Sequence, residues 1–212
     1  DLRMSRGLGD VYKRQIPVRL GKINKETEYV FNYLQIERPE EISDIEDGQN
    51  VILVDHNEST QSANNISNAN ILKVIDHHTM NFVAPYQLYY RAEPVGCTAT
   101  VLYKMYKEYD VEITKTIATL MLSAIISDTL LLKSPTCTKE DKVIAEKLAK
   151  IAEVDLEKYG KDLLKAGTDI SDFTPEEVIN IDSKLFEKGG KKFKIAQINT
   201  ADIDLSLIHI SE

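Results

Sequence analysis

Two short apolar runs set the frame of this chain: 50–54 (NVILV) and 71–75 (ILKVI) are rich in β-branched residues and nearly continuous rather than alternating. That is the pattern of strands buried on both faces of a parallel sheet. Around them, 16–20 and 87–91 predict further strands, and 26–34 predicts a helix with Tyr29, Val30, Tyr33 and Leu34 on one face. The proline-containing segment 38–48 is polar and reads as a connection, and the Asn/Ser-rich stretch between the two apolar runs has room for one helical turn. Downstream, 96–109 predicts a helix and 114–127 a helix buried on nearly every side. Thr138 is a suitable N-cap for the next, with Glu140 and Asp141 in its first turn. Residues 156–166 predict a helix stopping at Gly167, a residue suited to a left-handed cap. A polar linker over 168–174, a short helix from Pro175 and a hairpin over 183–199 turning at Gly189-Gly190 complete the reading. Strand, polar turn and helix in repeated order predict an α/β fold with a parallel sheet.

Composition narrows the partners. The chain has 212 residues, 42% hydrophobic and 28% charged, as expected of an ordinary globular protein. Its formal charge of −8 weighs against nucleic acid as a partner, because binding to a phosphate backbone rests on Lys/Arg clusters. The longest apolar stretch, 117–126, falls short of the roughly 18 residues needed to span a bilayer, so no membrane partner is expected. Two cysteines, Cys97 and Cys137, form no CxxC pair and suit a structural role in a reducing, cytoplasmic setting.

The chemistry lies where the apolar runs stop. One runs into Asp55-His56-Asn57 and the other into Asp76-His77-His78, and the carboxyl ends of parallel strands are where ligands collect in open α/β sheets. Local turn hydrogen bonds would account for the first triplet about as well as a ligand role does. Two adjacent histidines after a buried strand seldom serve packing, so the second points to metal ligation or acid–base work. Asp128 ends the greasy helix 120–127, where an ionised carboxylate is expensive unless paired or bound to a metal.

The segments VDHNE (54–58), VIDHH (74–78), RAEPVGCTAT (91–100) and SDTLLLKSPTCT (127–138) together resemble the DHH phosphoesterase superfamily and, within it, the manganese-dependent family II inorganic pyrophosphatases. DHH alone marks only the superfamily; EPVGCTAT and KSPTCT narrow it. The resemblance implies hydrolysis of pyrophosphate to two phosphates, with two Mn²⁺ ions per complete site, Co²⁺ or Mg²⁺ being alternatives. Asp55 would bridge the metals, His77 and Asp128 would both be ligands of one of them, and His78 and Lys184 would face the substrate as catalytic groups. On sequence alone Lys184 reads more simply as a solvated lysine beside Lys188, Lys191 and Lys192. The resemblance further implies a cytoplasmic homodimer.

One departure stands out: the His-x-Asn-Pro-Asp-x-Asp segment that opens the family, supplying a histidine and two aspartates, has no counterpart here. Nor does the Ser-Arg-Lys-Lys segment of the second domain. The expectation is therefore a fragment with impaired activity, namely a DHH domain over 16–167 lacking its first strand, a linker over 168–174, and the start of a second α/β domain of the DHHA2 type over 175–205. Residues 1–15 and 206–212 resemble translated sequencing-adaptor read-through and are expected to be non-native extensions. Two other functions compete: a DHH phosphodiesterase acting on short oligonucleotides or cyclic dinucleotides, and a noncatalytic metal- or phosphate-binding fragment.

Overall fold

The computed structural model describes residues 15–169, residue 174 and the strand residues 183–188 and 191–196. Strand β1 (Val18–Leu20) leads to helix α1 (Lys25–Leu34) and a short strand β2 (Glu40–Ile42). Strands β3 (Asn50–Val54), β4 (Asn70–Asp76) and β5 (Tyr89–Ala92) follow, and then helices α2 (Thr98–Glu108), α3 (Lys115–Asp128), α4 (Lys139–Ala152) and α5 (Leu156–Gly167). Strands β6 (Ser183–Lys188) and β7 (Lys191–Ala196) pair antiparallel.

The predicted α/β class with parallel strands is observed. Strands β3, β4 and β5 form one all-parallel sheet in sequence order, with Val54 opposite Ile75 and Asp76 opposite Ala92. This register brings the carboxyl ends of β3 and β4 side by side, which is what allows Asp55 to meet His77. Helix α2 packs on β4, where Ile75, Val101 and Met105 form a small buried cluster. The larger core lies among the helices, centred on Leu122, Ile125, Ile126 and Leu148. Each of these is fully buried, and each burial contributes roughly 1.5–3 kcal/mol.

Several details depart from the sequence reading. The segment 38–48 contains β2, which pairs parallel with β1 and carries Glu41 to an ion pair with Arg19 at 2.8 Å. Two 3₁₀ turns, Ser59–Gln61 and Ile66–Asn68, replace the single turn expected between β3 and β4. Gly167 is not a left-handed cap. It lies in the last turn of α5, where a Cβ would come within 2.3 Å of Glu26 Cγ, so its missing side chain permits contact with α1. The Thr138 cap is present as a full capping box with Asp141. The antiparallel pairing of β6 with β7 agrees with the expected hairpin, while the expected turn at Gly189-Gly190 lies outside the described residues. Residues 1–14 of the first extension, the extension 206–212, most of the linker 168–174 and the helix from Pro175 lie outside the described residues.

Immediately after Asp128 the chain does something no leucine run predicts: Leu130, Leu131 and Leu132 take φ of 49°, 53° and 64°. Left-handed backbone costs an L-residue about 1–2 kcal/mol, so the surroundings must hold this turn in place. They do so through the buried Thr129, whose hydroxyl accepts from Leu132 N at 3.1 Å and whose carbonyl accepts from Lys133 N and Ser134 N at 2.9 and 2.8 Å. Leu130 is 58% exposed, so little burial is lost on replacing it. Leu130→Gly should therefore raise stability by up to about 1 kcal/mol, relief of strain outweighing the roughly 0.5–1 kcal/mol entropic cost of glycine. A lower urea midpoint for this variant would show the turn to be unstrained.

Candidate metal centre

Asp55 leaves β3 at φ 68°, a left-handed position that Asp tolerates better than most residues, and its amide still donates to Ile75 O at 2.9 Å. The strand pairing thus continues for one bond while the side chain turns away from the strand direction. His77 follows β4, and its Nε2 lies 3.7 Å from Asp55 Oδ1. Its Nδ1 lies 2.9 Å from the Val95 carbonyl oxygen. A carbonyl can only accept, so Nδ1 carries the proton and Nε2 keeps its lone pair for a cation. His78 stacks edge-on against His77 with ring centroids 4.1 Å apart. One ligand atom each from Asp55, His77 and His78 lie within 4.8 Å of one another.

Asp76 plays a different part from its neighbours. It belongs to β4 and is fully buried, and its Oδ1 accepts from His77 N at 2.7 Å, His78 N at 3.1 Å and His78 Nδ1 at 2.8 Å. Its Oδ2 accepts from Asn57 Nδ2 at 2.7 Å. Burial alone would raise its pKa, but the hydrogen bonds from Asn57, His78 and His77 outweigh it and hold the carboxyl below its ordinary range. Asn57 is buried as well; it donates to Thr79 O at 3.1 Å and accepts from Asn81 N at 2.7 Å. These two residues, missed as a pair in the sequence, brace both strand ends. For His78, desolvation works to lower the pKa, yet the bond to Asp76 and the charges of Asp76, Asp55 and Asp128 raise it on balance.

Asp128, at the end of α3, is outside the 4.8 Å group but is coupled electrostatically to all three of its members. It retains exposed surface, while the protein wall behind it desolvates the carboxyl. That desolvation raises its pKa, the Cys97 thiol counters by hydrogen bonding, and the Asp55 charge pushes upward again. Cys97 is a free, buried thiol whose pKa is pushed far up by burial and by Asp128, which disfavours the thiolate. Lys184 pairs with Ile195 in the hairpin, and its side chain lies outside the described residues. Beside His78 opens a cleft of about 240 Å³, lined by His56, Asn57, Glu58, Gln61, His78 and Thr79.

The donor set fits a divalent cation. The Asp55 and Asp128 carboxylates repel each other, and the His77 Nε2 lone pair lies 3.7 Å from Asp55 Oδ1; oxygen with imidazole suits ions of the Mn²⁺ type.

Residues 6–125 match the DHH family, N-terminal domain, and residues 161–209 match the DHHA2 domain. The chain belongs to the DHH family. It is 58% identical over 187 residues to a protein of Oceanobacillus iheyensis named as a probable manganese-dependent inorganic pyrophosphatase, covering 88% of this chain and 61% of that one. A Bacillus cereus protein of the same name is 53% identical over 198 residues, covering 92% and 64%. In three dimensions the DHH chain is similar to a Methanococcus jannaschii protein assigned to the family II inorganic pyrophosphatases, with a TM-score of 0.74 at 40% identity over 89% of this chain and 64% of that one. The chain thus spans a little over three fifths of the length of these relatives. Among the described residues no helix is long and apolar enough to cross a membrane.

Proposed function

We propose that the protein hydrolyses inorganic pyrophosphate to two phosphates, with Asp55, His77 and Asp128 as metal ligands and His78 and Lys184 facing the substrate. The observation that carries this is the convergence of Asp55, His77 and His78 at two adjacent strand ends, with His77 Nε2 left free by the Val95 carbonyl. The relatives' shared name supports the same reading, as does the likeness to the Methanococcus jannaschii structure. Two Mn²⁺ ions, or Co²⁺ or Mg²⁺ in their place, would supply a hydroxide at neutral pH and neutralise phosphoryl oxygens.

The chain's own residues do the rest. Asp55, His77 and Asp128 would hold the metal, their oxygen and imidazole donors suiting ions of this type. His78, its pKa raised through Asp76, is suited to donate to an oxygen of the electrophilic phosphate or the leaving group, and the cleft of His56, Glu58 and Thr79 opens beside it. Lys184 adds a positive charge from the second domain, which we place at 175–205, after the DHH domain of 16–167 and the linker of 168–174. The reading extends to a homodimer in the cytoplasm.

The test is phosphate release from pyrophosphate with Mn²⁺, run on this chain and on the chain extended at both ends to the length of its relatives. Pyrophosphate turnover by the extended protein supports the proposal. Cleavage of short oligonucleotides or cyclic dinucleotides in preference to pyrophosphate would replace it with the phosphodiesterase reading, and metal binding without any turnover would leave only a binding module.

Asp128 makes a prediction of opposite signs. Because its folded pKa is raised, its ionised form is disfavoured in the fold, and the contribution it makes below its ordinary value of 3.8 is lost as pH rises through the folded one. At neutral pH, Asp128→Asn should raise the metal-free Tm by up to about 3 °C, while weakening Mn²⁺ binding at least tenfold. A variant that loses stability and keeps its Mn²⁺ affinity would place Asp128 outside the centre.

A further inference from the structure

The two segments EPVGCTAT and KSPTCT meet at a single buried carboxylate. Asp141 is fully buried in the first turn of α4, and four donors converge on it. Its Oδ1 accepts from Thr100 Oγ1 at 2.5 Å, and its Oδ2 accepts from Thr138 N at 2.7 Å, Thr138 Oγ1 at 2.6 Å and Gly96 N at 2.8 Å. The Gly96 N–H belongs to the same peptide unit as the Val95 carbonyl, and that carbonyl receives the His77 Nδ1 proton at 2.9 Å. One rigid amide therefore stands between an anion on its N–H side and the imidazole on its C=O side.

We propose that Asp141 is a positioning residue for His77, acting through the Val95–Gly96 peptide to fix the imidazole in the tautomer that presents Nε2 towards Asp55; this rests on His77 being a ligand. The physical basis has two parts. A planar amide pinned at its N–H cannot rotate, so its carbonyl direction is set by Asp141 on α4 rather than by the loop that carries it. A charge-assisted bond at the N–H also polarises the amide and strengthens the bond its oxygen accepts, by about 10–30% where such chains have been evaluated. Gly96 makes the approach geometrically feasible. A Cβ there would lie 2.8 Å from Asp141 Oδ2 and 2.9 Å from Thr129 Cγ2, so any side chain would separate the peptide from the carboxylate. Ligating histidines are commonly oriented by a carboxylate or carbonyl on the other ring nitrogen; here the carbonyl makes the contact and the carboxylate stands one peptide behind it.

A purely structural role, as the N-terminal brace of α4, would destabilise the protein on mutation without touching His77. The experiment therefore compares Asp141→Ala with Thr138→Ala, which removes the capping hydroxyl of α4 but leaves the Asp141–Gly96 bond. On the full chain without metal, ring ¹⁵N shifts report the His77 tautomer, and titration with Mn²⁺ alone reports affinity. The expected result is that Asp141→Ala turns a single Nδ1–H tautomer into a mixture and raises the Mn²⁺ Kd about tenfold or more, whereas Thr138→Ala lowers Tm but keeps the tautomer and shifts Kd less than about twofold. An unmixed tautomer in Asp141→Ala, or equal changes in both variants, overturns the proposal. Should Asp141→Ala not fold, Asp141→Asn keeps an oxygen towards Gly96 and Thr138 while removing the charge and turning the acceptor that faces Thr100 Oγ1 into a donor. An upfield shift of the His77 Nδ1 proton with a Kd raised about threefold then supports the relay, and an unmoved proton overturns it. Since the tautomer is read without metal, the relay can fail while pyrophosphate hydrolysis stands, and the reverse.

Discussion

Asp76→Ala is expected to destabilise this chain by about 3–5 kcal/mol, lowering Tm by roughly 10 °C. Three donors from His77 and His78 and one from Asn57 end on this carboxylate, and it has no exposed surface. Removing it leaves these donors without their acceptor, at roughly 1–3 kcal/mol for each that stays unpaired. Release of the buried charge offsets part of that loss, which is why the estimate stays below the sum of the bonds. The pH dependence carries the same signature. The pKa of Asp76 is lowered in the fold, so the stability it contributes is complete above its ordinary value of 3.8 and is lost as pH falls through the lowered one. Asp141 acts in the same direction, its hydrogen bonds from Thr100, Thr138 and Gly96 outweighing burial. Acid unfolding of the parent should therefore steepen below about pH 4 and be shallower in Asp76→Ala, which thermal melts across that range would reveal. A Tm loss under about 3 °C would mean that the network is not closed as described.

Asp76 also shows which parts of the site are legible in a sequence. The two strands were readable because short β-branched runs have few other uses, and adjacency of their ends follows once they pair in parallel. The helices α2, α3 and α4 were readable from apolar periodicity and, at Thr138, from cap chemistry. What could not be read was whatever depends on a distant partner. Asp76 and Asn57 look like members of two polar triplets, yet they are buried because each satisfies the other across 19 positions. Asp141 looks like a first-turn acid and is one, but its bond to Gly96 spans 45 positions. Strand β2 carries two glutamates in three residues, and pairing with β1 and the ion pair from Glu41 to Arg19 override its poor strand composition. The left-handed turn at Leu130–Leu132 has neither Gly nor Asn to announce it, because Thr129 rather than intrinsic preference holds it. Gly167 carried a true signal that was misassigned: a glycine at a helix end serves close packing against Glu26 as readily as a cap.

The largest functional effect is expected from Asp55→Asn. In the chain extended to the length of its relatives, this substitution should weaken Mn²⁺ binding at least about 100-fold, or roughly 2.7 kcal/mol, and reduce pyrophosphate turnover by about three orders of magnitude or more. The fold should hardly notice. The Asp55 side chain is 53% exposed, the bond that anchors the position is made by its backbone N–H to Ile75 O, and Asn tolerates the φ of 68° as readily as Asp does. A Tm within about 2 °C of the parent therefore separates loss of charge from loss of structure. The two acids are then expected to differ in role: Asp55→Asn should leave stability unchanged and weaken metal binding strongly, while Asp128→Asn should gain stability by removing a carboxyl whose ionised form the fold disfavours and lose affinity more modestly. His77 differs from both, since its lone pair is set by Val95 and its loss cannot be mimicked by neutralising a charge. Titration of the Asp55→Asn protein with Mn²⁺, followed by phosphate release at saturating metal, decides the matter. A Kd within about threefold of the parent would remove Asp55 from the centre and leave the two histidines as no more than a pair stacked at a strand end.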